Sequence, residues 1–384
     1  MAGPPLENLL VRLAGGLDPD LDELAGISPA QWAELDRRAA HYRIQPLLHH
    51  RLGDCTAIPG DLRLDWADAY RASAISALAH KAELVAIVGA LARAGIDSIA
   101  LKGAWLAWHA WPDPALRPLR DLDLLIAEGK VLDARRLLLT LGYVEIGTEG
   151  LSAEQWKQRY HQLPPLVSPS GIVVELHHRL WIEDWRTPHL PDEVFLRAFA
   201  DPEYPGLRYL DPIDQLLHLA VHASVHAFDG GPLMLADFEQ LAREHRFDWD
   251  AVWERANTEG WDRVAALAIA ATRRWTVGGR ASLPDPPVSV PAEVLDDLPL
   301  LLAKAPERIG SDQTAARLAR RDIGWREKWR RALLRRERHE SLRSWLGWLT
   351  GELLNAVRAR LGGNAGRGAR LVVQLNAYLS VRKP

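Results

Sequence analysis

The sequence holds a single cysteine, Cys55, among 384 residues. One thiol excludes an internal disulfide framework and a cysteine-built zinc site, and it suits a reducing compartment. No stretch of roughly 18 residues is apolar without a charge, so no membrane span is expected. The opening residues, MAGPPLENLLVRLAG, lack a basic stretch followed by a long apolar one, so no secretory signal is expected. The expected location is the cytoplasm. A net charge of −3 gives no global signal for nucleic acid. No internal repeat stands out.

What is present is the composition of a globular chain, 48% hydrophobic and 25% charged, able to bury a sizeable core. At about 150 residues per domain the length suggests two or three domains. Charge is uneven along the chain. From Arg320 onward there are 16 Lys and Arg against 5 Asp and Glu, so a basic end follows an acidic body. Trp325, Trp329, Trp345 and Trp348 lie in that end. A helical face packed on the body is the first reading there. Contact with nucleic acid, a membrane surface or an acidic peptide is the alternative.

Along the chain, residues 6–95 read as helical. Ser28 is placed as an N-cap with Pro29 at the first helical position. Ala- and Leu-rich residues 63–94 form a long helix that Gly95 stops. Residues 97–101 then read as a short strand, AWLAWHAW as a helix, Asp121–Ala127 as an apolar strand and residues 130–141 as an amphipathic helix. Tyr143–Ile146 is another strand and residues 152–162 a further helix. Leu166-Val167 and Ile172–His177 read as a hairpin around Ser168–Gly171. After Trp181 the pattern is helical again, with helices from Pro212, over residues 233–244 and over 251–274, closed by the Pro-rich SLPDPPVSVP. The expected divisions are a helical segment at 1–95, an α/β core at 96–182, a helical domain at 183–310 and a basic helical segment at 311–384.

Asp121 and Asp123 are two apart on a strand and therefore share a face. Side by side they repel and raise each other's pKa. A divalent cation resolves that repulsion. Mg²⁺ prefers oxygen donors and is commonly shared with phosphates, with Mn²⁺ as the alternative. Two such ions about 3.5–4 Å apart activate an attacking oxygen and stabilise a leaving pyrophosphate. Lys102-Gly103 sits where a strand gives way to a helix. Lys102 offers a point charge and Gly103 a close backbone approach. Arg117 and Arg120 precede the acidic pair and are suited to phosphate. Downstream, Glu175 is placed as a third metal ligand or as a base, and His177, on the same strand face, near the substrate. His218, His222 and His226 recur every four residues. Zinc is the sharp reading and a polar groove the favoured one, with His222 and Asp237 near the substrate. Trp105, Trp108 and Trp111 read as packing.

LKGAWLAWHAW, ALRPLRDLDLLI, VVELHHRLW and LLHLAVHASVHAF…LADFEQL together resemble the bacterial family of uncharacterised nucleotidyltransferases, related to abortive-infection and toxin-type enzymes. The resemblance spans roughly residues 6–280. It implies an α+β fold, a small mixed-sheet nucleotidyltransferase core between largely helical segments. It also implies Mg²⁺ and a nucleoside triphosphate donor, and it favours Arg117 over Arg120 as the phosphate contact. Some relatives accompany lasso-peptide tailoring enzymes, so a peptide is one expected acceptor, beside a small molecule or tRNA. Two departures stand out. The wider superfamily's Gly-Ser is Lys102-Gly103 here, and its usual third Asp is Glu175. The alternatives are a sugar or sugar-phosphate transferase acting on a modified peptide, a toxin-like enzyme modifying tRNA or protein, and a non-catalytic nucleotide-binding protein.

Overall fold

Local signals set many of the element ends. Ser28 and Gln31 close a capping box at the start of one helix, and Ser152 and Gln155 close another. Each pair satisfies N–H groups that a first helical turn leaves open. The computed structural model describes residues 5–147, 150–180, 193–308, 346, 350 and 367–380.

Helices α1 (Leu6–Gly15), α2 (Leu21–Ala25), α3 (Pro29–His41), α4 (Gln45–Leu52) and α5 (Gly60–Arg93) come first. The Ala- and Leu-rich α5 has no proline, and the chain turns out of it at Gly95, whose φ of +68° favours glycine. By length and composition alone α5 could cross a membrane. One of its faces, with Trp66, Ala77, Leu84, Ile87 and Leu91, is buried in the protein.

Next come β1 (Ser98–Ala100), α6 (Gly103–Trp105), β2 (Asp121–Ile126), α7 (Val131–Thr140), β3 (Val144–Glu145), α8 (Ala153–Arg159), β4 (Leu166–Val167) and β5 (Val173–His177). The helix expected over AWLAWHAW is shorter: α6 gives way to a π-helical turn at Leu106–Ala110. Then follow α9 (Val194–Arg197), β6 (Phe199–Ala200), β7 (Arg208–Tyr209), α10 (Pro212–Val225), α11 (Leu233–Glu244), α12 (Trp249–Thr258), α13 (Asp262–Trp275), α14 (Gly279–Ser282), α15 (Ala292–Asp297), α16 (Pro299–Leu302) and α17 (Arg367–Ser380). The pattern after Trp181 reads as helical, and β6 and β7 add two short strands within it. The open edge of β1 pairs with β7, and β7 with β6. Trp325, Trp329, Trp345 and Trp348 lie outside the described residues.

The strands form one mixed sheet in the order β3-β4-β5-β2-β1-β7-β6, so the architecture is α+β with helical segments on either side in sequence. Strand β2 is central, antiparallel to β1 and parallel to β5. Residues of both its faces are buried, Leu122 and Leu124 completely and Asp123 to 5% exposure. A carboxylate so placed needs partners.

Candidate active site

The register of the central strands assembles the site. Asp121 stands opposite Val173 and Asp123 opposite Glu175 in the parallel pairing of β2 with β5. On the other side, Leu101 N donates to Asp123 O as β1 ends, which brings Lys102 to the same place. Lys102 Nζ lies 3.2 Å from Asp123 Oδ2. His177 Nε2 lies 2.8 Å from Asp123 Oδ1 and 3.6 Å from Glu175 Oε2. Asp123, Glu175 and His177 offer ligand atoms within 4.8 Å of one another. Among the described residues this is the group with metal-site spacing, and the three histidines of α10 are not in it.

Lys102 has φ +46° and ψ −113°, a left-handed conformation that a residue with a Cβ seldom adopts. Its carbonyl accepts from Leu106 N at 3.2 Å and from Gln215 Nε2 at 3.5 Å. Strain of this kind persists where surrounding contacts fix it, typically at functional positions. Gly103 is required for a different reason. A Cβ there would collide with Arg117 Nη1 and come within 2.6 Å of Leu119 Cδ2.

The charges interlock. Burial works against the charge of Asp123, but Lys102 and then His177 outweigh it and hold the carboxyl well below its usual range. Burial likewise works against a charged His177, and the hydrogen bond to Asp123, aided by Glu175, holds its pKa up. Asp121 is left with the repulsion. Burial, then Asp123 and Glu175, push it up to about 6. Around this centre the other histidines stay neutral. Burial, and then the charge of Lys102, keep His218 and His222 well below their usual value. Burial, and then His177, bring His161 down to about 3.

Three carboxylates thus face Lys102 and the imidazole of His177. The surplus of negative charge and the oxygen donors fit a divalent cation. With its Nε2–H directed at Asp123, His177 acts as the group that fixes the carboxylate.

The remaining predicted residues are placed as follows. Arg117 grips Asp237 with two hydrogen bonds, Nε to Oδ1 at 3.1 Å and Nη2 to Oδ2 at 3.0 Å. Trp111 Nε1 donates to the same carboxylate at 2.8 Å. Arg117 and Asp237, assigned separately to phosphate and substrate, therefore hold each other beside Gly103. Arg120 is exposed and donates to His41 O at 3.0 Å. His222 is half-buried, within electrostatic range of Lys102 and Asp123. Three residues were not foreseen: His161, whose ring centroid is 5.2 Å from that of His177, Gln215, and Arg43, which donates to Leu119 O at 2.6 Å.

The sequence model of a family described as an uncharacterised nucleotidyltransferase matches residues 28–276, which include every residue of this cluster. No curated protein and no solved structure matches the chain.

Proposed function

We propose a metal-assisted transfer of a nucleoside monophosphate, from the premise that this chain belongs to the uncharacterised nucleotidyltransferase family and is a nucleotidyl-transferring enzyme. The donor is a nucleoside triphosphate and the acceptor presents a hydroxyl or phosphate oxygen. The observation that carries this reading is the pairing of Asp123 with Glu175 across β2 and β5, with Lys102 3.2 Å from Asp123.

Asp121 and Asp123, with Glu175 as a third ligand or as the base, would hold the metal, and their oxygen donors suit Mg²⁺. When bound, the ion polarises the phosphoryl group and lowers the pKa of the attacking oxygen. Lys102 neutralises the phosphate tail as a point charge. His177 keeps Asp123 ionised and oriented. Where it is not a metal ligand, Glu175 is the base that would take the proton of an acceptor hydroxyl. The acceptor oxygen bonds to the α-phosphorus, the bond from that phosphorus to the β-phosphate oxygen breaks, and pyrophosphate leaves. A peptide is the acceptor class we test first.

The test incubates the full chain with triphosphates labelled at the α-phosphate, Mg²⁺ and candidate peptides, small molecules and tRNA. The expected product carries the mass of a nucleoside monophosphate, forms with release of pyrophosphate, and disappears on chelation. Asp123→Asn should lower its rate by about 10³-fold or more. Transfer of a sugar or of a γ-phosphoryl group would overturn the reading, as would Asp123→Asn activity at the wild-type level.

A further inference from the structure

Helix α5 has a second apolar face. Positions 75, 78, 79, 82 and 86 follow the three- and four-residue spacing that keeps side chains on one side of a helix. They are Ile75, Leu78, Ala79, Ala82 and Ala86, and all five are exposed, Ile75 to 72% and Leu78 to 73%. The core takes Trp66, Ala77, Leu84, Ile87 and Leu91 from the other side of the helix. A lone exposed leucine is ordinary, whereas an apolar stripe along a helix marks a contact surface.

The stripe is not uniform. Asp61, Leu64 and Asp68 continue its spacing towards the N-terminus and Arg93 towards the C-terminus, and all four are exposed. Bulk therefore lies at one end, in Leu64, Ile75 and Leu78, and small side chains at the other, in Ala79, Ala82 and Ala86. Charge runs the same way, acidic at the N-terminal end and basic at Arg93, with Asp68 also serving Arg71. A parallel copy of the helix would set bulk on bulk and like charge on like. A copy turned end for end sets bulk on small and acid on base. With a two-fold axis between Leu78 and Ala79, Ile75 stands over the partner's Ala82. Leu78 then meets its counterpart on one flank of the seam and Ala79 its counterpart on the other. Arg93 stands over the partner's Leu64, one turn from the partner's Asp61 and from the partner's Asp68. A membrane surface offers no such match, because it favours basic residues along the polar border of a stripe, and one end here is acidic.

We propose that this face of α5 is the surface on which two copies of the chain pair, antiparallel and with the same residues on both sides of the contact. The 34 residues of α5 span about 50 Å. At a helix width of about 10 Å the stripe covers roughly 500 Å² per copy, or ~1,000 Å² in total, the lower end for a specific interface. The dimer is therefore reversible.

Sedimentation velocity of the full chain between about 1 and about 100 µM should show monomer passing into dimer. Ala82→Glu sets a carboxylate under the partner's Ile75 and should raise the dissociation constant about tenfold or more. Ile75→Lys is the second variant should the first fail a thermal melt. Arg93→Glu should weaken the pair, and adding Asp61→Lys should recover it. The register is read by cross-linking in a Cys55→Ser background. Oxidised Ala79→Cys should give a covalent dimer, because its two thiols meet at the axis. Ala86→Cys should not, since its two copies lie about 22 Å apart along the helices. The proposal falls if the chain stays monomeric at about 100 µM. It falls equally if the dimer tolerates both Ala82→Glu and Ile75→Lys, or if Ala86→Cys cross-links in place of Ala79→Cys. A monomer that floats with vesicles of phosphatidylcholine and phosphatidylserine would assign the stripe to a membrane and overturn the pairing.

Discussion

Asp121 shows how the site opposes the fold that holds it. Its pKa is pushed up from the usual 3.8 to about 6, by burial first and then by Asp123 and Glu175. A carboxyl raised in the folded state favours folding below its unfolded value, and that contribution is lost as pH rises through the folded value. The window is therefore about pH 4 to 6, and above it the ionised Asp121 opposes folding. Asp121→Asn removes the charge at nearly constant shape. It should raise the melting temperature relative to wild type at about pH 8, and by much less near pH 4. The same variant should lose transfer activity. Calorimetry at the two pH values decides the point, and a pH 8 melting temperature no higher than wild type would remove the repulsion argument. Lys102 is the counterpart. Lys102→Met strips Asp123 of the ammonium 3.2 Å away and the site of its phosphate charge. Initial rates at saturating Mg²⁺ should show kcat/KM down by about 10²–10³-fold, a loss expected for one preorganised electrostatic group.

At the scale of elements, the turn from β1 into α6 is where sequence and structure part most instructively. A Lys-Gly pair after a strand invites the left-handed conformation at the glycine. The structure gives it to Lys102, with φ +46°, and uses Gly103 as space for Arg117 and Leu119. Gly103→Ala should therefore destabilise the protein by about 1–3 kcal/mol through overpacking. Urea unfolding measures it, and a change within error would mean that the Arg117–Asp237 pair can move aside. Strand alternation and cap residues were legible because they are local. Period two puts Glu175 and His177 on one face of β5, and Ser28 announces its own helix. Strands β6 and β7 were not legible, since two residues such as Arg208-Tyr209 cannot display a period. They are strands because the edge of β1 is there to be paired. The Arg117–Asp237 grip was illegible for the same reason, its partners being 120 residues apart.

For the whole molecule, the folding unit extends beyond the part that the family shares. The family match begins at residue 28, yet α1 lies before it with Leu9, Leu10, Val11 and Leu13 at 0–1% exposure. These side chains belong to the same apolar core as Leu301 and Leu302 of α16 and Leu241 of α11. Burying each contributes about 1.5–3 kcal/mol, so the four together supply roughly 6–12 kcal/mol. Net stability of a folded protein is only about 5–15 kcal/mol. Residues before the matched region therefore supply an amount comparable to the entire margin. Removing residues 1–27 would also strip the apolar cover from α11, whose Asp237 holds Arg117 beside the Lys102 turn. A chain beginning at residue 28 should melt without a cooperative transition by circular dichroism, and it should lack metal-dependent transfer even where the soluble fraction is matched to wild type. A cooperative melt with retained activity would show that the core closes without α1, and that its buried leucines are replaceable by rearrangement of α11 and α16.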